Sequence, residues 1–226
     1  MSIIHFERVG QSFGDRTVLH DVNLSLTEHR IGIVGANGSG KSTLVRMING
    51  LVTPTSGIVT VDGQNVARHA RDVRRKVGFI FTNPDNQIVM PTVQEDVAFT
   101  LRRRGLSAAE IAERTAVALE QFGLSEHADH PAHRLSGGQK QLLALAAVLV
   151  AEPATIVADE PTTLLDARNA RRISELLQTL PQQVIVVTHH LHLVEEFDRV
   201  IVIEDGAVVA DGEAAESLAA YRALLQ

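Results

Sequence analysis

Ile31-Gly32-Ile33-Val34-Gly35-Ala36-Asn37-Gly38-Ser39-Gly40-Lys41-Ser42 is the stretch that decides the fold. Its first four residues read as a short apolar strand. Ser42 to Asn49 reads as a helix stopped by Gly50. Between them lies the pattern G-x-x-x-x-G-K-[ST]. A strand, a glycine loop and a helix in this order aim successive backbone N–H groups at a phosphate. The helix N-terminus adds its positive partial charge. Gly35, Ala36, Asn37, Gly38, Ser39, Gly40, Lys41, Ser42 and Thr43 are therefore the expected nucleotide contacts. Lys41 is expected to reach the β- and γ-phosphates and the Ser42 hydroxyl to coordinate Mg²⁺. The plainer alternative is a glycine-rich turn with an exposed lysine, and an acidic pair downstream argues against it.

That pair is Asp159-Glu160, ending the apolar run Thr155 to Ala158 that Pro153 precedes. A carboxylate at the C-terminal end of a strand sits where open α/β sheets place their ligands. Asp159 is expected to hold Mg²⁺, and Glu160 to orient and deprotonate the attacking water. Both are needed, because a carboxylate committed to the metal cannot also serve as base. Leu135-Ser136-Gly137-Gly138-Gln139 lies between the two motifs. Ser-x-x-Gln is a capping box, followed by the apolar run Leu142 to Ala151, so Ser136 should open a helix. Such a terminus offers free N–H groups, a hydroxyl and two glycines with no side chain to block an anion.

The order of these motifs over nearly the whole chain resembles the ATP-binding-cassette (ABC) ATPases. The resemblance implies an α/β P-loop cassette with a RecA-like, mainly parallel sheet, an N-terminal antiparallel β region and an inserted helical subdomain at about 90–151. It implies that Ser136, Gly137, Gly138 and Gln139 bind the γ-phosphate held by a second copy of the chain, the two meeting head to tail with ATP between them. Asp166, in Thr163-Leu164-Leu165-Asp166, matches the family's D-loop carboxylate. His189, after the strand Val184 to Val187, matches the histidine expected at the γ-phosphate. Phe13, before Gly14-Asp15, matches the aromatic that stacks on adenine; by itself it would be read as a core residue.

Thr82-Asn83-Pro84-Asp85-Asn86-Gln87-Ile88 and Glu95-Asp96-Val97-Ala98-Phe99 narrow the resemblance to the ATPases of energy-coupling-factor (ECF) importers. Glu195-Glu196-Phe197-Asp198-Arg199 resembles them too. In that group two ATPases bind a transmembrane coupling protein that carries a substrate-capture membrane subunit, so the expected location is the cytoplasmic face of the membrane. Two departures stand out. Thr82 occupies the place of the Q-loop glutamine, so that residue's roles do not transfer, and Gln87 is at most a partial substitute and not an equivalent. The resemblance leads to the expectation of no C-terminal extension domain after the last strand, a short form associated with biotin uptake and also with cobalt or nickel uptake. The rival readings are a cassette acting on nucleic acid or ribosomes and a weakly hydrolysing regulatory module. The first usually carries two cassettes or a long coiled coil, and neither is found here.

Composition bounds the rest. With 226 residues the chain reads as one cassette. With no cysteine it can form no disulfide, and its formal charge of −6 argues against a nucleic-acid partner. The longest apolar stretch, Leu142 to Ala151, falls short of the ~20 residues a spanning helix needs. Ile3 to Val9 and Val22 to Leu26 alternate as half-buried strands. Ile58 to Val61 should end at an Asp62-Gly63 turn, and Val77 to Phe81 reads as a buried strand. Thr92 to Ala151 looks helical, with a second capping box at Ser107 and a face of Ile111, Thr115, Ala118, Leu119 and Phe122. Val200 to Ile203 and Ala207 to Ala210 should pair across Asp205-Gly206. Arg68, Arg71, Arg74, Arg75, Lys76 and Arg102-Arg103-Arg104 read as solvated helix faces. His127, His130 and His133 have metal-like spacing, but Pro131 interrupts them, so loop histidines are expected.

Overall fold

The computed structural model describes residues 1–102 and 104–225; Arg103 lies outside them. The chain forms two compact units: Met1–Phe79, Ala154–Glu160 and the chain from Leu177 onward make the first, and Ile80–Pro153 with Pro161–Leu176 the second.

The first unit opens on β1 (Ile4–Phe13) and β2 (Arg16–Leu26), then β3 (Arg30–Val34), α1 (Lys41–Ile48), β4 (Ser56–Val61), β5 (Gln64–Asn65), α2 (Val66–Lys76) and β6 (Val77–Ile80). β1 and β2 form a hairpin longer than the alternation predicts. The reason is visible in the register, which slips between Phe6 and Val9 and again beyond. Arg8 and Asp21 take left-handed φ values of 47° and 46° there. A bulge inserts an unpaired residue and breaks the period-2 pattern, so the strands continue past the point where alternation stops. The antiparallel sheet has the order β2-β1-β4-β5.

In the second unit α3 (Val93–Leu101) and α4 (Ala108–Gln121) precede α5 (Gly137–Leu149). Capping boxes open all three, at Thr92–Glu95, Ser107–Glu110 and Ser136–Gln139. Thr115, Ala118, Leu119 and Phe122 are buried as their spacing predicts. The buried carboxylate of Asp96 accepts from the Val89 and Met90 N–H groups at 2.8 and 2.9 Å, pinning the preceding loop to α3. Burial raises its pKa above the ordinary aspartate value, against those two bonds.

The rest of the chain supplies β7 (Thr155–Asp159), α6 (Ala167–Thr179), β8 (Gln183–Val187), β9 (Arg199–Glu204), β10 (Ala207–Gly212) and α7 (Ala214–Leu224). The main sheet has the order β10-β9-β3-β8-β7-β6. β9, β3, β8 and β7 run parallel, and β10 is antiparallel to β9. β3, β7 and β8 are buried at every residue, which explains their near-continuous apolar sequence. Asp159 pairs with Val187 and Val187 with Ile33, so three strands end level.

The basic cluster lies on α2 but is not merely solvated. Arg74 donates to the Asn49 and Gly50 carbonyls at 3.0 and 3.2 Å, closing the C-terminus of α1, and Lys76 pairs with Asp62 at 3.0 Å. Among the described residues no helix is long and apolar enough to cross a membrane.

Arg30 is the polar exception in β3. Its guanidinium donates to the carbonyls of His29, Gln178, Leu180 and Gln182, and its N–H donates to Asp198 at 2.7 Å. One side chain thus satisfies the turn that feeds β8. Arg30→Leu strands those carbonyls and is expected to lower unfolding stability by about 2–4 kcal/mol in urea titrations. Arg30→Lys should recover only part, since an ammonium lacks the planar fork. A full recovery by lysine would mean that charge, not the fork, matters.

Candidate active site

In the first unit the glycine loop leaves the end of β3 and enters α1. Gly40 stands at its N-cap with φ 103°. A Cβ there would meet Leu19 Cδ2 at 2.7 Å and the Val18 carbonyl oxygen at 2.8 Å, so only glycine fits. Among the described residues no side chain caps this helix, and the buried Ser39 hydroxyl has no hydrogen-bond partner. Uncapped N–H groups at a helix start, with a spare hydroxyl beside them, are a donor set suited to phosphate oxygens. Asn37 and Gly38 are exposed at the loop tip.

The Lys41 ammonium donates to the Gly35 and Ala36 carbonyls at 2.9 and 2.7 Å. Burial lowers its pKa below the ordinary lysine value, while the carboxylates of Glu160, Asp159 and Glu204 oppose that shift. Asp159 is fully buried. Its carboxylate accepts from the Ser42 hydroxyl at 2.6 Å and pairs with Arg46 at 2.9 Å. A hydroxyl and a carboxylate oxygen in contact form the hard-oxygen set that Mg²⁺ prefers, so these residues fit the metal.

Glu160 follows with φ 52°, in the left-handed region that non-glycine residues seldom occupy. Its N–H donates to the Val187 carbonyl at 2.9 Å, and its carboxylate lies 2.9 Å from His189 Nδ1. Strain of this kind persists only where surrounding contacts enforce it, here the β8 end on one side and His189 on the other. The structure therefore brings Gly35–Ser42, Asp159, Glu160 and His189 to one edge of the parallel strands. Phe13, at the end of β1, is 55% exposed, which sets aside its reading as a core residue.

In the second unit Ser136 and Gly137 are exposed at the start of α5, whereas Gly138 is buried. Asn169 lies directly over Gly138, and a Cβ on that glycine would overlap it. Asn169 is fixed in turn by Asp166, whose carboxylate accepts from its backbone N–H and its amide, both at 2.8 Å. Those bonds hold the Asp166 carboxyl below the ordinary aspartate value. The Asn-Pro-Asp-x-Gln run also has local work. Asn83 accepts from the Asp85 N–H, Asp85 pairs with Lys140 of α5 at 2.7 Å, and the Gln87 amide joins the Phe81 N–H to the Ala144 carbonyl. Both ends of Gln87 are thus engaged, so it acts as a brace for α5 and not as the glutamine that Thr82 replaces.

Three contributors were not singled out as site residues from sequence. Arg46 lies four residues after Ser42 on α1, a spacing that puts both on one face. Asn169 follows Asp166 by three, the spacing of an N-cap and its N3 residue. His127 touches the Gln139 side chain at 2.9 Å, a contact with no local signal.

The ABC transporter family profile matches residues 19–163. The biotin transport ATP-binding protein BioM of Rhizobium etli is 47% identical over 219 residues, 97% of each chain. The energy-coupling factor transporter ATP-binding protein EcfA1 of Caldanaerobacter subterraneus is 45% identical, over 86% of this chain and 73% of its own. The ATP-binding cassette MJ0796, solved as a dimer in a post-hydrolysis state with ADP and phosphate, superposes with a TM-score of 0.83 and 31% identity over 93% of this chain and 98% of that one. The two-sheet fold, the glycine loop and the level strand ends agree with these likenesses, and the chain belongs to the ABC transporter family as one of its ATP-binding proteins.

Proposed function

We propose that the chain binds and hydrolyses ATP to energise an ECF-type importer of a small nutrient, with biotin favoured and a transition-metal ion as the other candidate substrate. The observation that carries this reading is the meeting of Ser42, Asp159, Glu160 and His189 beside Lys41. The names of the relatives supply the transported class: one is a biotin transport protein and one an energy-coupling factor protein.

In this reading residues 1–226 act as one cassette. The loop N–H groups from Gly35 to Thr43 and the Lys41 ammonium hold the phosphates, and Phe13 stacks on adenine. Ser42 and Asp159 hold Mg²⁺, which when bound neutralises phosphate charge. Glu160 takes the proton of the attacking water as the bond between the γ-phosphorus and ADP breaks. His189 orients the Glu160 carboxylate and contacts the γ-phosphate. Ser136, Gly137, Gly138 and Gln139 close the site of a second copy, with Asp166 at the same interface. The exposure of Ser136 and Gly137 supports this role, as does the dimeric state of the MJ0796 cassette. The homodimer would sit peripherally at the cytoplasmic face, on a transmembrane coupling protein that carries the substrate-capture subunit.

Glu160→Gln tests the core of the reading. Turnover is expected to fall at least ~100-fold while ATP binding persists, because the amide cannot accept the proton. The variant should accumulate as an ATP-bound dimer in size exclusion with light scattering. Turnover within a few-fold of the unaltered chain would remove Glu160 as the base. Isolation of the chain with its membrane partners, followed by uptake assays with biotin, cobalt and nickel, separates the candidate substrates.

A further inference from the structure

We infer that His127 is a positioning residue for the Ser136–Gln139 segment, held in one tautomer by a one-directional chain of hydrogen bonds. This rests on the reading of that segment as the phosphate-binding face offered to a second copy. The Ser136 N–H donates to Gln139 Oε1 at 2.9 Å. A backbone N–H can only donate, so the oxygen end of the Gln139 amide is fixed there. The amide nitrogen must then face His127 Nε2, 2.9 Å away. That nitrogen donates, so His127 Nε2 must carry a lone pair.

Neutral His127 accordingly keeps its proton on Nδ1, which lies 3.0 Å from His130 Nδ1. His130 accepts it and carries its own proton on Nε2. Every bond from Gln139 through His127 to His130 runs in one direction. A proton added to His127 sets an N–H against the Gln139 amide N–H. A proton added to His130 sets an N–H against the one on His127. Rotating the Gln139 amide relieves the first conflict only by turning its NH₂ toward the Ser136 N–H, which undoes the cap.

Little nearby would compensate for the added charge. Among the described residues neither ring has an ion-pair partner. The other titratable groups of the stretch are Glu126, Asp129, His133, Arg134 and Lys140. Asp129 accepts from Gln94 of α3 at 2.6 Å, and Lys140 is paired with Asp85. His130 is exposed and His127 half-buried.

The test uses the full chain and the variants His127→Gln and His127→Ala. Glutamine can accept from the Gln139 amide and does not titrate. Long-range ¹H–¹⁵N spectra at about pH 8, assigned by the signal lost in His127→Gln, should show His127 protonated on Nδ1 and His130 on Nε2. His127 protonated on Nε2 would overturn the inference. In steady-state ATPase assays at saturating Mg-ATP and about pH 8, His127→Ala should lose about fivefold in kcat, the scale of one hydrogen bond, with His127→Gln restoring most of it. Equal kcat in the unaltered chain and His127→Ala, with both enzymes active, would overturn the inference and leave the proposed function standing. A chain with no ATPase activity would instead count against the proposed function, with the tautomer spectra still deciding the inference.

Discussion

A carboxylate withdrawn completely from water is the constraint on which the nucleotide site depends. Asp159 is buried at the end of β7, and a buried charge is tolerated only when paired and hydrogen-bonded. Its two oxygens meet that demand through the Ser42 hydroxyl and the Arg46 guanidinium. Both partners come from α1, so the helix cannot rotate or slide relative to β7 without exposing the charge to loss. The glycine loop is fixed at its far end by this arrangement and at its near end by β3. Lys41 is enclosed between them, its charge balanced by the carboxylates of Glu160, Asp159 and Glu204. The strained backbone of Glu160 follows, because the next residue must leave β7 while its N–H still reaches β8.

The second unit organises its surface by different means. Three capping boxes start its helices, and the one at Ser136 leaves the serine and the first glycine open to solvent. Everything around that opening is braced. Gly138 is covered by Asn169, α5 is tied to the Asn-Pro-Asp run through Lys140, and Gln139 is held on its far side by His127. Such bracing favours a preorganised face, in which donors need not rearrange when an anion arrives.

Much of this was legible in the sequence where function and local geometry coincide. The glycine loop, the acidic strand end and the Ser136 box each combine a chemical need with a backbone signal a few residues long. Legibility failed where the decisive contact is distant or the pattern is interrupted. Bulges at Arg8 and Asp21 hid the outer halves of β1 and β2. α7 buries Ala214, Ser217, Leu218 and Tyr221 at helical spacing, but two small side chains give that face little contrast. α6 buries Ile173 and Leu177, four apart, and two buried apolar positions on a mostly polar helix give only a faint periodic signal. The Gln87 brace joins residues 57 positions apart, so only a folded chain reveals that its amide is already engaged.

The central claim is that one catalytic site is assembled from two copies, each lending a different surface. Two inactive variants decide it. Lys41→Ala removes the phosphate-binding ammonium. Gly137→Asp places a negative charge on the exposed face, and its Cβ meets only the Leu164 carbonyl oxygen at 3.9 Å, so the fold accommodates it. Each alone should be inactive. Mixed in equal amounts, half of the dimers would pair an intact loop with an intact Ser136–Gln139 face, restoring about a quarter of all sites. ATP turnover should therefore reappear on mixing, in proportion to mixed dimers captured through two different tags. Mixed dimers that form in that proportion yet hydrolyse no ATP would contradict a shared site.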